Sequence, residues 1–510
     1  MKHISFLLFM SLATAQADVR LPSIFSDHAV LKKSAAVPVW GWAEPGEKVE
    51  VKLGNASANA VTDQDGKWKL QLDLSKEGPG PFDLMVQGKN ERKVSDVLLG
   101  EVWVCAGQSN MEMKLIQTRA KDVAAAAKNP LLRHFKVLKN SADASAEDVT
   151  GKWFLADAAG ARDFTATGYY FGEAVQKALG QPVGLINLSW GGSVPESWTS
   201  PDALSRDAEM VARAGDLRIE AHPAGKAPFL NKIPSGLFHG MLSPVLPYAI
   251  TGAIWYQGES SARPGLSPLY RKSLQTMVKD WRERWQSGDF PFYLCQLPNF
   301  QAKSNNPAQT GGWTELREAQ TKFLETPNTG MAVLIDVGEA KGLHPLNKKD
   351  PGERLARIAL AKTYGRDVVY SGPVFESSKV EEGKIRVRFS HADDGLKAMP
   401  LPDSYAPKAT EPDKIAPLVR NSPESEIEGF AICGTDGKWA WASAKIDGPT
   451  DVLVWSPEVP QPVEVRYAWG ENPTCNLANA SGLPGAPFRT DNFPGLAKPR
   501  HSAPETEPEP

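Results

Sequence analysis

Three kinds of hydrophobic patterning follow one another along the chain. From Asp18 to about Leu98, short stretches alternate apolar and polar residues, as in Val37-Pro-Val-Trp-Gly-Trp and Lys67-Trp-Lys-Leu-Gln-Leu. Turn clusters such as Glu44-Pro-Gly-Glu and Asp63-Gln-Asp-Gly separate them. A period of two puts one face of each strand on a core and the other in water, which predicts a small β domain over residues 18–98. Between about Leu99 and Gly365 the pattern changes to apolar runs alternating with amphipathic stretches. Runs ending at Gly107 and spanning Val183–Leu188, Tyr248–Trp255, Phe292–Leu297 and Met331–Asp336 read as buried strands. Tyr169–Leu179, Leu269–Trp285, Glu315–Leu324 and Gly352–Tyr364 read as helices, the first stopped by Gly180 and Pro182. This alternation predicts an α/β fold, a parallel sheet with helices on both faces, for residues 99–365. Beyond it, β patterning returns in Lys384-Ile-Arg-Val-Arg-Phe, Lys438-Trp-Ala-Trp-Ala and Val463-Glu-Val-Arg-Tyr-Ala-Trp, predicting a second β domain over 366–497. Within it, Met399–Glu424 is rich in Pro, Asp, Lys and Ser and is expected to be a long excursion. Residues 498–510 alternate Pro with Glu and Thr and are expected to be disordered.

The first residues follow a different logic. Lys2, the apolar run Ile4–Ala13 and the small-x-small pattern Ala15-Gln-Ala17 read as a signal peptide over 1–17, cleaved before Asp18. A periplasmic or secreted protein is therefore expected, and no later run approaches the roughly 20 apolar residues a membrane span needs. The formal net charge of −3 and the lack of a long Lys/Arg run argue against nucleic acid or an anionic membrane as partner. Four cysteines are too few for a disulfide scaffold, although an oxidising compartment would permit Cys433 and Cys475 to pair. Cys105 and Cys295 sit in apolar runs and read as buried thiols. The eight histidines form no HxH, HExxH or Cys/His cluster, so neither a metal nor another cofactor is expected.

Four segments place a Gly-rich polar loop after a buried strand: Ala106-Gly-Gln-Ser-Asn-Met, Leu188-Ser-Trp-Gly-Gly-Ser, Trp255-Tyr-Gln-Gly-Glu-Ser, and Asp336–His344. Parallel strands point the same way, so these loops converge at one edge of the sheet, where ligands bind in open α/β folds. Acyl transfer needs a nucleophile, a base, a group that orients the base, and oxyanion donors. Ser109 is the candidate nucleophile, against the plainer reading of a loop serine. His344, following the last strand, is the candidate base, against that of a surface loop histidine. The backbone N–H groups of Ser109 and Gly192 and the side-chain amide of Gln257 are candidate oxyanion donors; a tight turn at Gly192 and a loop-holding role for Gln257 are the alternatives.

These residues lie in strings that resemble bacterial sialate O-acetylesterases, a family of the SGNH-type serine esterase superfamily. The resemblance rests on Phe25-Ser-Asp-His-Ala-Val-Leu, Gly100-Glu-Val-Trp-Val-Cys-Ala-Gly-Gln-Ser-Asn-Met-Glu, Ala166-Thr-Gly-Tyr-Tyr-Phe-Gly, Trp190-Gly-Gly-Ser with Glu196-Ser-Trp, and Ile254-Trp-Tyr-Gln-Gly-Glu-Ser. Leu316-Arg-Glu-Ala-Gln, Leu343-His-Pro-Leu-Asn-Lys and Pro487-Phe-Arg-Thr-Asp extend it over nearly all of the chain after residue 17. Met111 stands where the Gly-x-Ser-x-Gly elbow of α/β-hydrolases has its second glycine. The resemblance implies an SGNH-like three-layer domain and a metal-free esterase acting through Ser109 and His344 on a small-molecule or glycan substrate that carries O-acetyl groups. Sialic acids are the substrate implied first and xylan- or pectin-type glycans second, with a carbohydrate-binding protein of weak turnover as the rival class. Many relatives carry an Asp three residues before the His; here Lys341 stands there, and Gly342 and Leu343 are not acidic. Glu259, in the Gln-Gly-Glu motif, is therefore the implied orienting acid, ahead of a dyad held by a backbone carbonyl or by Asp336. Trp198 and Trp255, beside the catalytic loops, are candidate substrate contacts, as is Arg317, which would otherwise pair with Glu318 or Glu315.

Overall fold

The apolar run that ends at Gly107 closes a 17-residue strand, β1 (Glu91–Gly107), that is the spine of the molecule in this computed structural model. The structure describes residues 18–492 apart from 119, 393–394, 406–415, 419 and 424. The expected signal peptide and C-terminal tail lie outside the described residues, as does much of the expected 399–424 excursion.

Around β1 stand β2 (Lys128–Val137), β3 (Gly151–Asp157), β4 (Val183–Ser189), β5 (Gly252–Tyr256), β6 (Phe292–Cys295) and β7 (Thr329–Ala332), in the order β7-β6-β5-β1-β4-β2-β3. Every pairing is parallel except that of the edge strand β3 with β2. Alternate residues of β1 enter different cores, as a strand buried on both faces requires. Val102, Val104 and Ala106 pack into one with Trp281 of helix α3 (Tyr270–Trp285) and Leu316 of α4 (Gly312–Phe323). Trp103 and Cys105 pack into the other, with Phe171 of α2 (Ala166–Leu179) and Ile358 of α5 (Lys349–Lys362). The result is the three-layer α/β/α arrangement, with one-turn helix α1 (Ser109–Glu112) at the sheet's carboxyl edge.

The chain enters this sheet without a break. The Glu91–Val97 part of β1 pairs antiparallel with Phe82–Gln87, and Val30–Lys32 pairs in parallel with Leu98–Gly100, so the boundary expected after Leu98 falls inside one strand. In the N-terminal β region Trp42 and Trp68 are buried, and Trp40 packs edge-on against Phe25 and Tyr248. The C-terminal region holds two four-stranded antiparallel sheets. All four cysteines are free thiols, so Cys433 and Cys475 do not pair. Among the described residues no helix is long and apolar enough to cross a membrane.

Candidate active site

β1 delivers Ser109 to the sheet edge through a constriction that only glycine passes. Gly107 has φ +134°, and a Cβ built there would lie 2.2 Å from the Tyr256 carbonyl oxygen of β5. Two residues later Ser109 opens α1, so its N–H has no intrahelical acceptor and faces out of the helix start. His344 arrives from the loop between β7 and α5. Its Nε2 accepts a hydrogen bond of 2.7 Å from the Ser109 hydroxyl, across 235 residues of sequence. That bond puts the proton of the neutral ring on Nδ1. Partial desolvation, and then the nearby Lys348 ammonium, hold the His344 pKa below its ordinary value, so the imidazole stays neutral and able to take a proton.

The Gly191-Gly192 turn abuts the nucleophile, a Cβ on Gly191 falling 3.3 Å from that of Ser109. The Gly191 N–H donates to Glu112 Oε2 at 2.7 Å, and the Asn231 amide donates to the Gly191 carbonyl at 2.7 Å. The Ser193 N–H closes the turn on Trp190 O at 3.2 Å. Of these three consecutive N–H groups, that of Gly192 is the one left uncommitted. Its φ of +75°, and the Asn231 Nδ2 that would sit 2.7 Å from a Cβ, make glycine necessary there.

Several expected roles are corrected. Gln257 is fully buried: its Nε2 donates to Gln108 Oε1 and Ser193 O, both at 3.0 Å, and its Oε1 accepts from the Tyr270 hydroxyl at 2.7 Å. It ties three loops together and has no donor to turn toward an oxyanion. Trp198 and Trp255 have no exposed surface, their indole N–H groups donating to Ser193 Oγ and the Tyr270 hydroxyl, so neither can stack on a sugar. Arg317 is also buried. Its guanidinium donates to the carbonyls of Pro298, Gly470 and Glu471, which clamps the C-terminal β region onto α4, while Glu318 pairs with Arg489.

Glu259 lies near His344 without touching it. Its Oε1 accepts from the Asn110 amide, and its Oε2 is buried with no hydrogen-bond partner. Asp336 is engaged bidentately by Arg354, at 2.7 Å to each oxygen. Neither of the two expected carboxylates therefore orients the imidazole directly, and the contact given for the ring is the one to Ser109. Asn110, Lys348, Glu112 and Asn231 were missed by sequence reasoning. Asn110 and Lys348 stand inside the Gly-Gln-Ser-Asn and His-Pro-Leu-Asn-Lys strings, and a polar residue next to a nucleophile and a lysine one helical turn after a base were the available signals. Among the described residues no group of three or more His, Cys, Asp or Glu side chains is placed to hold a metal.

The family model for carbohydrate esterases of the sialic acid-specific acetylesterase type matches residues 99–360, the sheet, the Ser109–His344 pair and both glycine turns included. The chain belongs to this family. The sialate O-acetylesterase of Mus musculus is 28% identical over 542 residues, covering 93% of this chain and 95% of the relative. That of Rattus norvegicus is 30% identical over 417 residues, covering 70% and 76%. Among solved structures, a carbohydrate acetylesterase from Xanthomonas citri aligns with TM-score 0.80 and 35% identity over 93% of this chain and 100% of its own. As a sialic acid-specific acetylesterase family member, the protein is a carboxylic ester hydrolase acting on sugar acetyl groups.

Proposed function

We propose that this enzyme is exported and removes O-acetyl groups from sialic acids through an acetyl-Ser109 intermediate. The observation that carries the chemistry is the 2.7 Å hydrogen bond from the Ser109 hydroxyl to a neutral imidazole at the carboxyl edge of the sheet. Ser109 Oγ attacks the acetyl carbonyl carbon while its proton passes to His344 Nε2. The charge that develops on the carbonyl oxygen is met by the N–H groups of Ser109 and Gly192, each worth on the order of 3 kcal/mol in the transition state. Collapse breaks the bond from the carbonyl carbon to the sugar oxygen, which takes the proton from His344. Water then repeats the sequence on the acyl group, with His344 again as base, and releases acetate.

The substrate reading is supported by the family match and by the sialate O-acetylesterases of mouse and rat. Export is supported by Lys2, the Ile4–Ala13 run and Ala15-Gln-Ala17. Acetate release from O-acetylated sialic acids, measured beside acetylated xylan and pectin fragments, tests the substrate. The expected result is preference for the sialic acids, with Ser109→Ala slower by at least about 1,000-fold. Preference for a plant glycan would overturn the substrate assignment. An exported protein whose N-terminus is Asp18 would agree with the localisation; a chain that stays in the cytoplasm with Met1 in place would not.

A further inference from the structure

We propose that Asn110 and Lys348 are positioning residues for the catalytic base, gripping the peptide carbonyls on both sides of His344 from a buried charge network anchored on Glu259. The inference rests on the reading of Ser109 and His344 as the catalytic pair. The Asn110 amide Nδ2 donates to Leu343 O at 3.1 Å and, with its other hydrogen, to Glu259 Oε1. Lys348 Nζ donates to Asn110 Oδ1 at 2.7 Å and to Pro345 O. Leu343 and Pro345 flank His344, so both of its neighbouring carbonyls are tied to side chains beneath the loop.

The network also fixes its own orientation. The donor end of the Asn110 amide faces a carboxylate and its acceptor end faces an ammonium. A flipped amide would set NH₂ against NH₃⁺ and oxygen against oxygen, so the charges on either side permit one rotamer. In that rotamer both Nδ2 hydrogens and Oδ1 are in use. Asn110 has no exposed surface and Lys348 only 1%.

Lys348 stands where a cation is held at a cost. It is the N-cap of α5, where the helix dipole disfavours a cation, and burial brings its pKa down to about 8 against the pull of Glu259. What it supplies there is a rigid anchor: its own carbonyl accepts from Gly352 N at 3.2 Å inside α5, while its ammonium reaches the histidine loop. The role expected of a carboxylate on the imidazole is thus moved one step away. Glu259 sets Asn110, and Asn110 and Lys348 set the backbone that carries the ring.

The test uses the full chain with p-nitrophenyl acetate. Lys348→Met is expected to lower kcat by about 100-fold with KM within about threefold of wild type, as a shift of the base of about 1 Å would. The acid limb of kcat/KM should also move to higher pH, because a cation that lowers the His344 pKa has gone. Since Lys348→Met leaves Glu259 without its counter-charge and can fail to fold, the neutral pair Glu259→Gln/Lys348→Met is measured beside it, with the same fall in kcat expected. Asn110→Ala releases the grip on Leu343 together with the links to Glu259 and Lys348, leaves the Lys348 grip on Pro345, and is expected to lose about 10-fold. A folded double variant, or Asn110→Ala, with kcat within threefold of wild type overturns the positioning role. A Ser109→Ala protein as fast as wild type instead overturns the catalytic pair on which the role rests, whatever the network variants do.

Discussion

Replacing Gly107 with alanine should separate damage to the catalytic geometry from damage to the fold. The added Cβ would lie 2.2 Å from Tyr256 O and 2.8 Å from Tyr256 C, atoms of the neighbouring strand backbone with no rotamer to change. Carbon contacts relax near 3.5 Å, so about 1 Å of movement is needed. The strand tip cannot take it up alone. Gly107 pairs with Ser189 on one side and Tyr256 on the other, and its carbonyl accepts from Trp190 N at 3.1 Å and Ser193 Oγ at 3.3 Å. The movement therefore passes to Ser109, two residues on, and to the Gly192 turn. Misplacing a reacting atom by about 1 Å costs on the order of 100-fold in rate, roughly 2.7 kcal/mol of transition-state stabilisation. Gly180→Ala is the matched control. Gly180 ends α2 at φ +66° with no atom within 4 Å of its would-be Cβ, so it should lose about 1 kcal/mol of stability to backbone strain and no activity. Turnover of p-nitrophenyl acetate and thermal unfolding of both variants decide the matter. A folded Gly107→Ala enzyme with kcat within threefold of wild type would refute the argument that this close approach sets the position of the nucleophile.

Three further outcomes follow from the same contacts. In the proposed mechanism His344 works as neutral imidazole and its pKa is lowered from 6.5, so kcat/KM should rise with pH through a midpoint below that value and be level by neutrality; a midpoint above it contradicts the desolvation argument. Gln257→Leu takes the side-chain donor from Ser193 O, while Gln108 Oε1 keeps the Ser260 N–H and the Tyr270 hydroxyl keeps the Gln257 backbone carbonyl, and should cost roughly 1 to 3 kcal/mol in denaturant unfolding. Its kcat, once folded, should fall less than about 10-fold, whereas an oxyanion donor would lose 100-fold or more. Arg317→Met should destabilise the protein by roughly 1 to 3 kcal/mol, by unpairing the buried Gly470 carbonyl while the Glu471 carbonyl keeps the Phe300 N–H, and leave KM for acetylated sugars unchanged; a raised KM with normal stability would restore the substrate-binding role.

The parts of this molecule legible in the sequence are those governed by period and by strand direction. β4, β5 and β6 are buried along their whole length, and their apolar runs announced them, as the stripes of α2, α3 and α5 announced those helices. β2 and β3 were not anticipated. They lie toward one edge, partly exposed, and Lys-Asn-Pro-Leu-Leu-Arg and Gly-Lys-Trp-Phe carry too many polar positions for a run. Helix Ala208–Ala221 was also missed, since only Met210, Arg213, Ala214, Leu217 and Ala221 of its length are buried. Ser109 and His344 could be paired across 235 residues because β1 and β7 are parallel and each residue follows a strand's carboxyl end. The partners of Gln257, Arg317 and the two tryptophans could not. Whether a polar side chain near a site faces the cleft or the core depends on neighbours contributed by distant segments, such as Tyr270 from α3 and Gly470 from the C-terminal β region. The same holds for Glu259, whose motif placed it near the base while its contact goes to Asn110.

The covalent intermediate can be looked for directly. Mixing the enzyme with excess p-nitrophenyl acetate, quenching in acid within the first turnovers and mapping peptides by mass spectrometry should find a single acetyl group on Ser109, and none on this peptide in Ser109→Ala. Acetate released at the wild-type rate by Ser109→Ala, or an acetyl group carried stoichiometrically by another residue, would contradict the Ser109–His344 account.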